Sequence, residues 1–431
     1  MVGQGRHQAL RRSAFQEAIA HLGKAIAMAD KAGETSRHAP GRMAAVSQRL
    51  PQLHTAYGNA LIAARGHGAP ETMEAFARAR KSASGDEDAP GRFAADYGLW
   101  VGSYVRGDLP SMRTHAAAFL AGVAARPDSP EAGVAHRVVG TTHCFAGEYA
   151  EARDHLERAL TLFQPGRDDD LAFRFGQDAG VAAMCYLAIA SWPLGNVGRA
   201  VSLVDGAHER LASVAHIGTH PYAKLHAAMF ELMRRDSARA AQNGSETARL
   251  AREHDLPLWR AYGAFFEGLA TAELGALGEG LSDMRRGVES LRQQDLLNFD
   301  GLYKIALADA ETRAGDRVRA IAILDEALAT ADRLGYRAFE AELNRTRGEI
   351  LLECDPANPA PAAEAFQAAI AVAKRQGTRS FELRAALSLA KLYQSTGRPA
   401  DAHAVLAPAL EDFAPTPEMP EIAQAQALLA G

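Results

Sequence analysis

The chain has 431 residues, of which 48% are hydrophobic and 23% charged, an ordinary composition for a folded protein with ample apolar surface to bury. A net charge of −5 argues against a general affinity for nucleic acid, because such binding needs a basic surface. The three cysteines, Cys144, Cys185 and Cys354, lie far apart, which is typical of a reducing compartment and excludes a zinc site made of this chain's thiolates alone.

The chain shows no sign of membrane targeting. No apolar run approaches the roughly 18 residues that span a bilayer, so we expect no contact with a membrane. The N-terminal stretch MVGQGRHQALRRSAF contains basic residues, but no apolar run follows them as it would in a signal peptide. We therefore expect a cytoplasmic protein.

The first predicted element is an amphipathic helix in the segment FQEAIAHLGKAI, with its small and apolar residues at Ala18, Leu22, Ala25 and Ile26. This spacing is typical of the second helix of a two-helix unit, and too few residues precede it for a full first helix. We therefore expect residues 1–38 to be a truncated first repeat unit. The chain would then be a fragment, or the product of a gene separated from its upstream domains; an unusually short natural cap is the alternative.

One pattern recurs along the rest of the chain. A helical stretch ends at a Gly or Asp, and a small residue, a large apolar residue and an Ala-Leu pair follow at fixed spacings. The clearest copies are VVGTTHCFAGEYAEARDHLERAL, ALADAETRAGDRVRAIAILDEAL and SLAKLYQSTGRPADAHAVLAPAL. The residues that end the first helices are Gly107, Gly147, Gly195, Asp236, Gly275, Gly315 and Gly397, and a further copy, RGEILLECDPANPAPAAEAFQAAI, has a Pro-rich insertion in its turn.

This repetition predicts an all-α fold of the tetratricopeptide (TPR) type, a right-handed α-solenoid of antiparallel helix pairs. The period is about 40 residues, against roughly 34 in the standard unit. Small residues let paired helices approach closely, and the large ones fill the gap between successive pairs. We expect about nine helix pairs over residues 39–414, and over 415–431 a Pro-rich elbow with a short helix that caps the last apolar face.

The repeat sequences resemble a known group of proteins. The run ELNRTRGEILL, the following AAEAFQAAIAVAKRQGTRSFELRAALSLAKLYQSTGRPADAHAVLAPAL, and stretches such as LPLWRAYGAFFEGLATAELG are similar to the C-terminal TPR region of large bacterial signalling proteins. In those proteins, a class III adenylate/guanylate cyclase domain and an AAA-type or STAND-type ATPase domain precede the repeats. The resemblance covers nearly the whole chain and implies a regulatory or sensory role.

The catalytic parts of that group have no counterpart here. The chain has no G-x-x-x-x-G-K-[ST] phosphate loop and no room for a cyclase domain, so we expect neither an enzyme nor a bound cofactor. Cys144 and Cys185 fall on first helices with no Cys-His-Asn grouping around them, and we interpret them as small buried apolar residues.

Two further clusters have a simple interpretation. His216, His220 and His226 have spacing that metal ligands could use, but Gly218 and Pro221 break the helix needed to align the first two, and no carboxylate or Cys is close in the sequence. We therefore expect loop histidines and no metal. The acidic run 168–170 lacks the alternate spacing of a calcium loop. A solvated loop with an Asp as helix N-cap is the favoured interpretation.

The remaining candidate site is a peptide-binding groove. In TPR arrays the first helices line the concave face, and their exposed side chains contact a peptide. The predicted groove residues are Arg137, Thr141, Tyr262, Phe265, Arg345, Glu349, Arg384 and Lys391. The cations Arg345, Arg384 and Lys391 would suit an acidic segment or a carboxylate, although exposed helix faces carry charge in any case.

The sequence thus predicts a non-catalytic scaffold for protein–protein interaction, the regulatory or sensory region of a bacterial cyclase/ATPase signalling protein. Its partners would be protein or peptide segments, among them a cyclase or ATPase domain in cis or in trans. The alternative is a ligand- or peptide-sensing repeat domain of an ATPase-type transcriptional regulator, although no helix-turn-helix is evident. An enzyme is the third possibility, and no catalytic motif supports it.

Overall fold

The computed structural model describes residues 17–31, 50–83 and 89–430. In that part of the chain the regular structure consists of 21 α-helices, one 3-10 turn and no strand, which confirms the all-α repeat fold. Most of the predicted truncated unit, residues 1–16 and 32–38, lies outside the described residues. None of the described helices is both long and apolar enough to cross a membrane.

Helix α1 covers residues 17–31. The other helices are α2 (Leu50–Arg65), α3 (Pro70–Ser82), α4 (Ala89–Val105), α5 (Leu109–Gly122), α6 (Pro130–Ala146), α7 (Tyr149–Leu162), α8 (Leu171–Phe175), α9 (Ala179–Ser191), α10 (Val197–Arg210), α11 (Thr219–Arg234), α12 (Ser237–Glu253), α13 (Pro257–Glu273), α14 (Leu277–Gln293), α15 (Asp300–Arg313), α16 (Arg317–Leu334), α17 (Glu340–Cys354), α18 (Ala360–Gln376), α19 (Arg379–Ser395), α20 (Pro399–Leu410) and α21 (Glu421–Ala430).

Over residues 50–410, leaving aside α8, these helices form consecutive pairs, each with a first and a second helix. From α4 onwards the first helices begin at residues 89, 130, 179, 219, 257, 300, 340 and 379, which confirms a period near 40. The one long step, from 130 to 179, contains the extra helix α8.

The turns inside the pairs follow the predicted pattern with one exception. The six glycines predicted to end first helices have φ between 72° and 99°, a conformation that side chains with a Cβ rarely adopt. At the seventh turn Asp236 was expected in this role, but the left-handed residue is Arg235 (φ 70°). Asp236 instead begins the next helix, where its carboxylate accepts a hydrogen bond from the Arg239 N–H at 3.0 Å.

The chain divides into two compact units. The first comprises the described residues up to Ala135 together with Gln293–Asn298, and the second comprises His136–Arg292 and Phe299–Gly431. In the first unit Phe93 packs on Phe119 with ring centroids 5.5 Å apart. In the same unit, the N–H of Leu297 donates to the carbonyl of Val105 at 2.6 Å, next to the end of α4.

In the second unit, helix pairs far apart in sequence lie edge to edge. The N–H of Arg337 donates to the Phe145 carbonyl and the N–H of Ser380 to the Pro193 carbonyl, both at 2.9 Å. Beside them, the Tyr149 hydroxyl donates to the Ala338 carbonyl 189 residues away. The last carbonyls of a helix have no partner within it, so the bonds to Phe145 and Pro193 satisfy helix ends that would otherwise need water. Each joins one pair to the fifth pair further along the chain.

Glycine also sets how closely paired helices approach. Gly268 on α13 faces Met284 on α14, and Gly280 on α14 faces Ala272 on α13. A Cβ at Gly280 would lie 2.4 Å from the backbone nitrogen of Ala272, a distance that side chains essentially never show. The two backbones are therefore in contact at these positions.

We predict that Gly280→Ala lowers the free energy of unfolding by about 1–3 kcal/mol, since backbone atoms cannot move aside cheaply. Gly278→Ala is the matched control: Gly278 is exposed in the same helix, and its added Cβ would meet no atom within 4 Å. It should be neutral or stabilising by up to about 1 kcal/mol. Urea unfolding followed by helical circular dichroism measures both, and equal effects would contradict the close approach.

Candidate interaction site

The structure places the predicted groove residues on first helices of the second unit, but mostly out of reach of solvent. Glu349 is half-buried and Lys391 is exposed. The other six are buried, with exposures between 0% and 5%: Arg137, Thr141, Tyr262, Phe265, Arg345 and Arg384. The expectation that all eight are exposed is therefore wrong for six, while their role in binding stays a prediction. The physical reason is that side chains from different first helices fill the inner face themselves.

Aromatic side chains fill one part of this inner face. Phe145, at the end of α6, stacks on Tyr336 with centroids 4.8 Å apart and contacts Phe299 at 5.6 Å and Tyr186 at 6.2 Å. These partners come from three other elements along the chain. Such tilted and edge-on aromatic pairs add to the free energy gained from apolar burial. This part of the inner face is a packed core.

His226 lies within the aromatic part. Its Nδ1 is 2.8 Å from the Tyr222 carbonyl and its Nε2 is 3.2 Å from the Tyr186 hydroxyl, so the partners assign the proton to Nδ1. Burial lowers the pKa of His226 to about 4; the bond to Tyr222 opposes this shift and the nearby Arg137 charge adds to it. The imidazole is therefore neutral near pH 7.

Charged side chains fill the other part of the inner face. Arg345 on α17 donates to Glu342 at 2.9 Å and to Glu349 at 2.5 Å. Burial alone would raise the pKa of Glu342, but Arg345 and Arg384 outweigh it and the pKa lies below its usual value. The same balance, with Arg345 and Arg235 as the cations, lowers the pKa of Glu349. The carboxylates are ionised, and Glu342, Arg345 and Arg384 form buried ion pairs with the half-buried Glu349 beside them.

Arg384 on α19 connects this cluster to α11. Its guanidinium donates to the carbonyls of Met233 and Arg234, both at 2.8 Å, at the carboxyl end of α11. It also lies 3.3 Å from Glu342 and 4.5 Å from the centre of the Trp192 ring. A cation at a helix carboxyl end satisfies unpaired carbonyls and complements the helix dipole. Arg384 therefore ties together elements about 150 residues apart.

The C-terminal segment completes the cluster. Glu421, the first residue of α21, accepts from Arg384 at 2.8 Å, and Glu418 pairs with Arg234. Further along α21, Gln424 accepts from Lys391 at 2.9 Å. The acidic segment that the sequence predicted as a ligand for Arg384 and Lys391 thus has a counterpart within the chain itself. Sequence reasoning missed Glu418 and Glu421, although the E-x-x-E spacing in the elbow was a visible signal.

The two clusters set aside as non-functional are held by ordinary contacts. His216 lies in a loop and bonds to the Thr219 hydroxyl at 3.0 Å. His220 and His226 lie in α11, so the expectation of loop histidines was wrong for both; Pro221 is tolerated in the first helical turn, where an N–H would have no partner within the helix. His220 bonds to the Val214 carbonyl at 3.1 Å. In the acidic run, Asp168 is buried against Arg167 at 2.5 Å rather than solvated as expected. Asp170 precedes α8 but its side chain makes no capping bond there, so the N-cap prediction was wrong. The reason is that residues 164–170 form their own turn, in which Asp168 accepts from the Gln164 N–H.

The buried thiols are poorly suited to nucleophilic chemistry. Burial raises the pKa of Cys185 to about 12 and that of Cys144 further, so both are protonated near pH 7. Cys354 is exposed and unbridged. The interpretation of Cys144 and Cys185 as buried residues is confirmed.

Comparison with known proteins gives one distant relative by sequence. No family model matches the chain. It is 25% identical over 257 residues to an uncharacterised protein, R02095, of Rhizobium meliloti (strain 1021), an alignment that covers 58% of this chain and 24% of that protein. The chain thus spans about a quarter of the length of this curated relative.

Several solved structures match the chain at low sequence identity. A Rap protein in complex with competence and sporulation factor is 12% identical, with a TM-score of 0.49, covering 78% of this chain and 96% of that one. A STAND protein with a TPR sensor from Pyrococcus horikoshii is 14% identical, with a TM-score of 0.43, covering 89% and 53%. Yeast Tom70 is 11% identical, with a TM-score of 0.35, covering 98% and 94%. Similarity at this level extends to no particular partner or activity.

We predict that Arg384→Met lowers the free energy of unfolding by about 3–5 kcal/mol, because it leaves buried carboxylate and carbonyl oxygens without their donor. Lys391→Met is the matched control on the same helix: its ammonium is exposed, and the change should lie within about 0.5 kcal/mol. Urea unfolding of both variants at neutral pH is the measurement. Similar changes in the free energy of unfolding for the two variants would show that the contacts of Arg384 do not stabilise the fold.

We predict that acid destabilises the chain partly through His226. Its pKa is lowered in the folded state, so between pH 6.5 and about 4 the unfolded chain binds the extra proton and folding stability falls as pH falls. The contribution reaches about 3 kcal/mol at pH 4. Urea unfolding across this range should give a shallower pH slope for His226→Gln than for wild type, and measurement at pH 8 isolates the packing loss. Parallel slopes would contradict the prediction.

Proposed function

We propose that this chain is a non-catalytic TPR-type scaffold that binds protein segments and acts as the regulatory or sensory region of a bacterial cyclase/ATPase signalling protein. The observation that carries the proposal is the docking of α21. The charged part of the inner face holds a helical segment through an arginine–glutamate ion pair at 2.8 Å and a lysine–amide contact at 2.9 Å. This surface therefore has the chemistry needed to recognise a helical segment of another protein.

The packing of the inner face supports a regulatory role. A segment that binds there meets Arg384, which also donates to the carboxyl end of α11. Binding would then be coupled to how α19 contacts α11, since a ligand that prefers one arrangement shifts the population towards it. In such a scaffold, binding of a segment to the inner face would change the helix arrangement that a joined domain contacts.

The identity of the partner rests on the sequence. The repeat sequences around residues 341–410 resemble TPR regions that follow cyclase and ATPase domains. In that resemblance both catalytic activities belong to the preceding domains and not to the repeats. The cyclase or ATPase domain would be joined to the scaffold in cis in a longer product, or bound in trans.

The test is affinity capture from a lysate of the source organism, with cross-linking and mass spectrometry of the retained proteins. We expect a protein that carries a class III cyclase domain or a P-loop ATPase domain, and a several-fold change in its catalytic rate when the purified chain is added. Lys391→Glu should reduce capture, whereas Lys81→Glu, an equal change of charge on the exposed surface of α3, should not. Capture of a DNA-binding regulator instead would favour the transcriptional alternative, and absence of both domain types would overturn the proposal.

A further inference from the structure

We propose that residues 415–430 are a built-in occupant of a docking site for acidic helical segments, and that a partner binds by displacing them. The inference rests on the proposed function and specifies both the site and the chemistry of its ligand. The docking site consists of Arg234 at the end of α11 together with Arg384 and Lys391 on α19.

The segment does more than cover the last helix pair. Helix α21 contacts both helices of that pair, α19 and α20. However, Glu418 accepts a hydrogen bond from Arg234, which lies 184 residues earlier in the chain. The side chain of Arg234 is only 7% exposed. A helix that only sealed the end of the array would contact α20 and its neighbour, and would have no need of a carboxylate aimed at α11. The segment therefore occupies a site shared by two distant first helices.

Three polar contacts fix the segment in register. Glu418 accepts from Arg234, Glu421 from Arg384 and Gln424 from Lys391, each residue three positions after the last. Arg384 is itself 3% exposed, so its ion pair is shielded from water and salt. Ion pairs to such a partly desolvated, hydrogen-bonded arginine discriminate strongly against a ligand that lacks the carboxylate. These contacts give the site its preference for acidic segments.

The apolar part of the attachment is small. Met419, Ile422 and Ala425 are fully buried, again with a spacing of three, while Ala423 and Gln426 on the other face are exposed. Three side chains of this size contribute a few kcal/mol at about 25 cal/mol per Å². A helix of ten residues is also marginal in water without tertiary contacts. The segment is thus held by few interactions that a competitor with the same pattern could replace.

The elbow before α21 suits release without loss of the array. Residues 411–420 contain three prolines and no helix, so few backbone hydrogen bonds hold them. The elbow is anchored at its start, where Arg379 donates to the Glu411 carbonyl at 2.8 Å and lies over the Phe413 ring. Residues after Phe413 can therefore leave the surface while α19 and α20 keep their contacts. The resident segment would remain tethered beside its site.

The contacts define the partner's chemistry. The ligand is a protein segment whose helix begins at the second of two glutamates three residues apart, each followed directly by an apolar residue, as in Glu418-Met419 and Glu421-Ile422. A small residue follows three positions after the second apolar one, where Ala425 lies against the array. Basic segments, or segments with Gln in place of both glutamates, should fail to bind.

The probe for the test is a fluorescein-labelled peptide with the sequence of residues 415–431. In wild type the tethered segment competes at an effective concentration of order mM, so the labelled peptide should bind at least about tenfold more weakly than to a chain whose own segment is released. The releasing variant is Glu418→Lys/Glu421→Lys in the full chain. Fluorescence anisotropy measures binding, and hydrogen–deuterium exchange of residues 421–430 measures release.

The matched control is Glu279→Lys/Glu364→Lys, which makes the same change of charge at two exposed glutamates outside the C-terminal segment, its elbow and the contacts with Arg234 and Arg384. It should exchange and bind peptide like wild type. If circular dichroism shows that the lysine pair loses overall helicity, the isosteric pair Glu418→Gln/Glu421→Gln carries the test with the same criteria.

Two results would overturn the inference. One is wild-type protection of residues 421–430 in both releasing variants, since the glutamates would then not hold the segment. The other is release of the segment without tighter binding of the labelled peptide. Either result would leave the proposed function standing, because capture of a cyclase or ATPase protein could use another surface. Conversely, tight peptide binding with no such partner captured would overturn only the proposed function.

Discussion

The arrangement of the second unit depends on hydrogen bonds between the carboxyl ends of first helices and the backbone that enters the fifth pair further along. The Phe145 and Pro193 carbonyls each receive an N–H donor in this way. Because helix ends left without partners are costly when buried, these bonds allow first helices to come together without water between them. The inner face then has room only for its own side chains, and those of Phe145, Tyr186 and His226 fill it.

The same closeness explains why charge is buried in this unit. A buried Arg384 without partners would be destabilising. Its guanidinium instead donates to two helix-end carbonyls, to the Glu342 carboxylate and to Glu421 of the C-terminal segment. Buried ion pairs contribute little net stability against apolar replacements, yet they specify which elements meet. Here they specify that α11, α17, α19 and α21 meet at one point. Because these elements meet there, the C-terminal segment serves as a template for an incoming ligand.

Much of the fold could be predicted from the sequence. The Gly-centred turns, the period near 40 and the small residues at helix crossings all depend on neighbours within about 40 residues, which a repeated pattern reveals. The burial of Arg384 could not be predicted, because it depends on contacts with α11, about 150 residues away in the chain. The local pattern of a first helix is the same whether its inner face meets solvent or another helix. For the same reason Glu418 and Glu421 looked like parts of a simple cap.

Those long-range bonds change how the second unit should respond to stress. In an ordinary repeat array each unit contacts only its neighbours, so stability is nearly additive and the ends fray one repeat at a time. The bond from Ser380 to the Trp192 carbonyl, 2.6 Å long and 188 residues in span, makes the folding of an early pair depend on a late one. Loss of one edge therefore weakens the opposite edge as well. The unit gains the all-or-none unfolding of a globular domain, together with the slower folding that distant contacts impose.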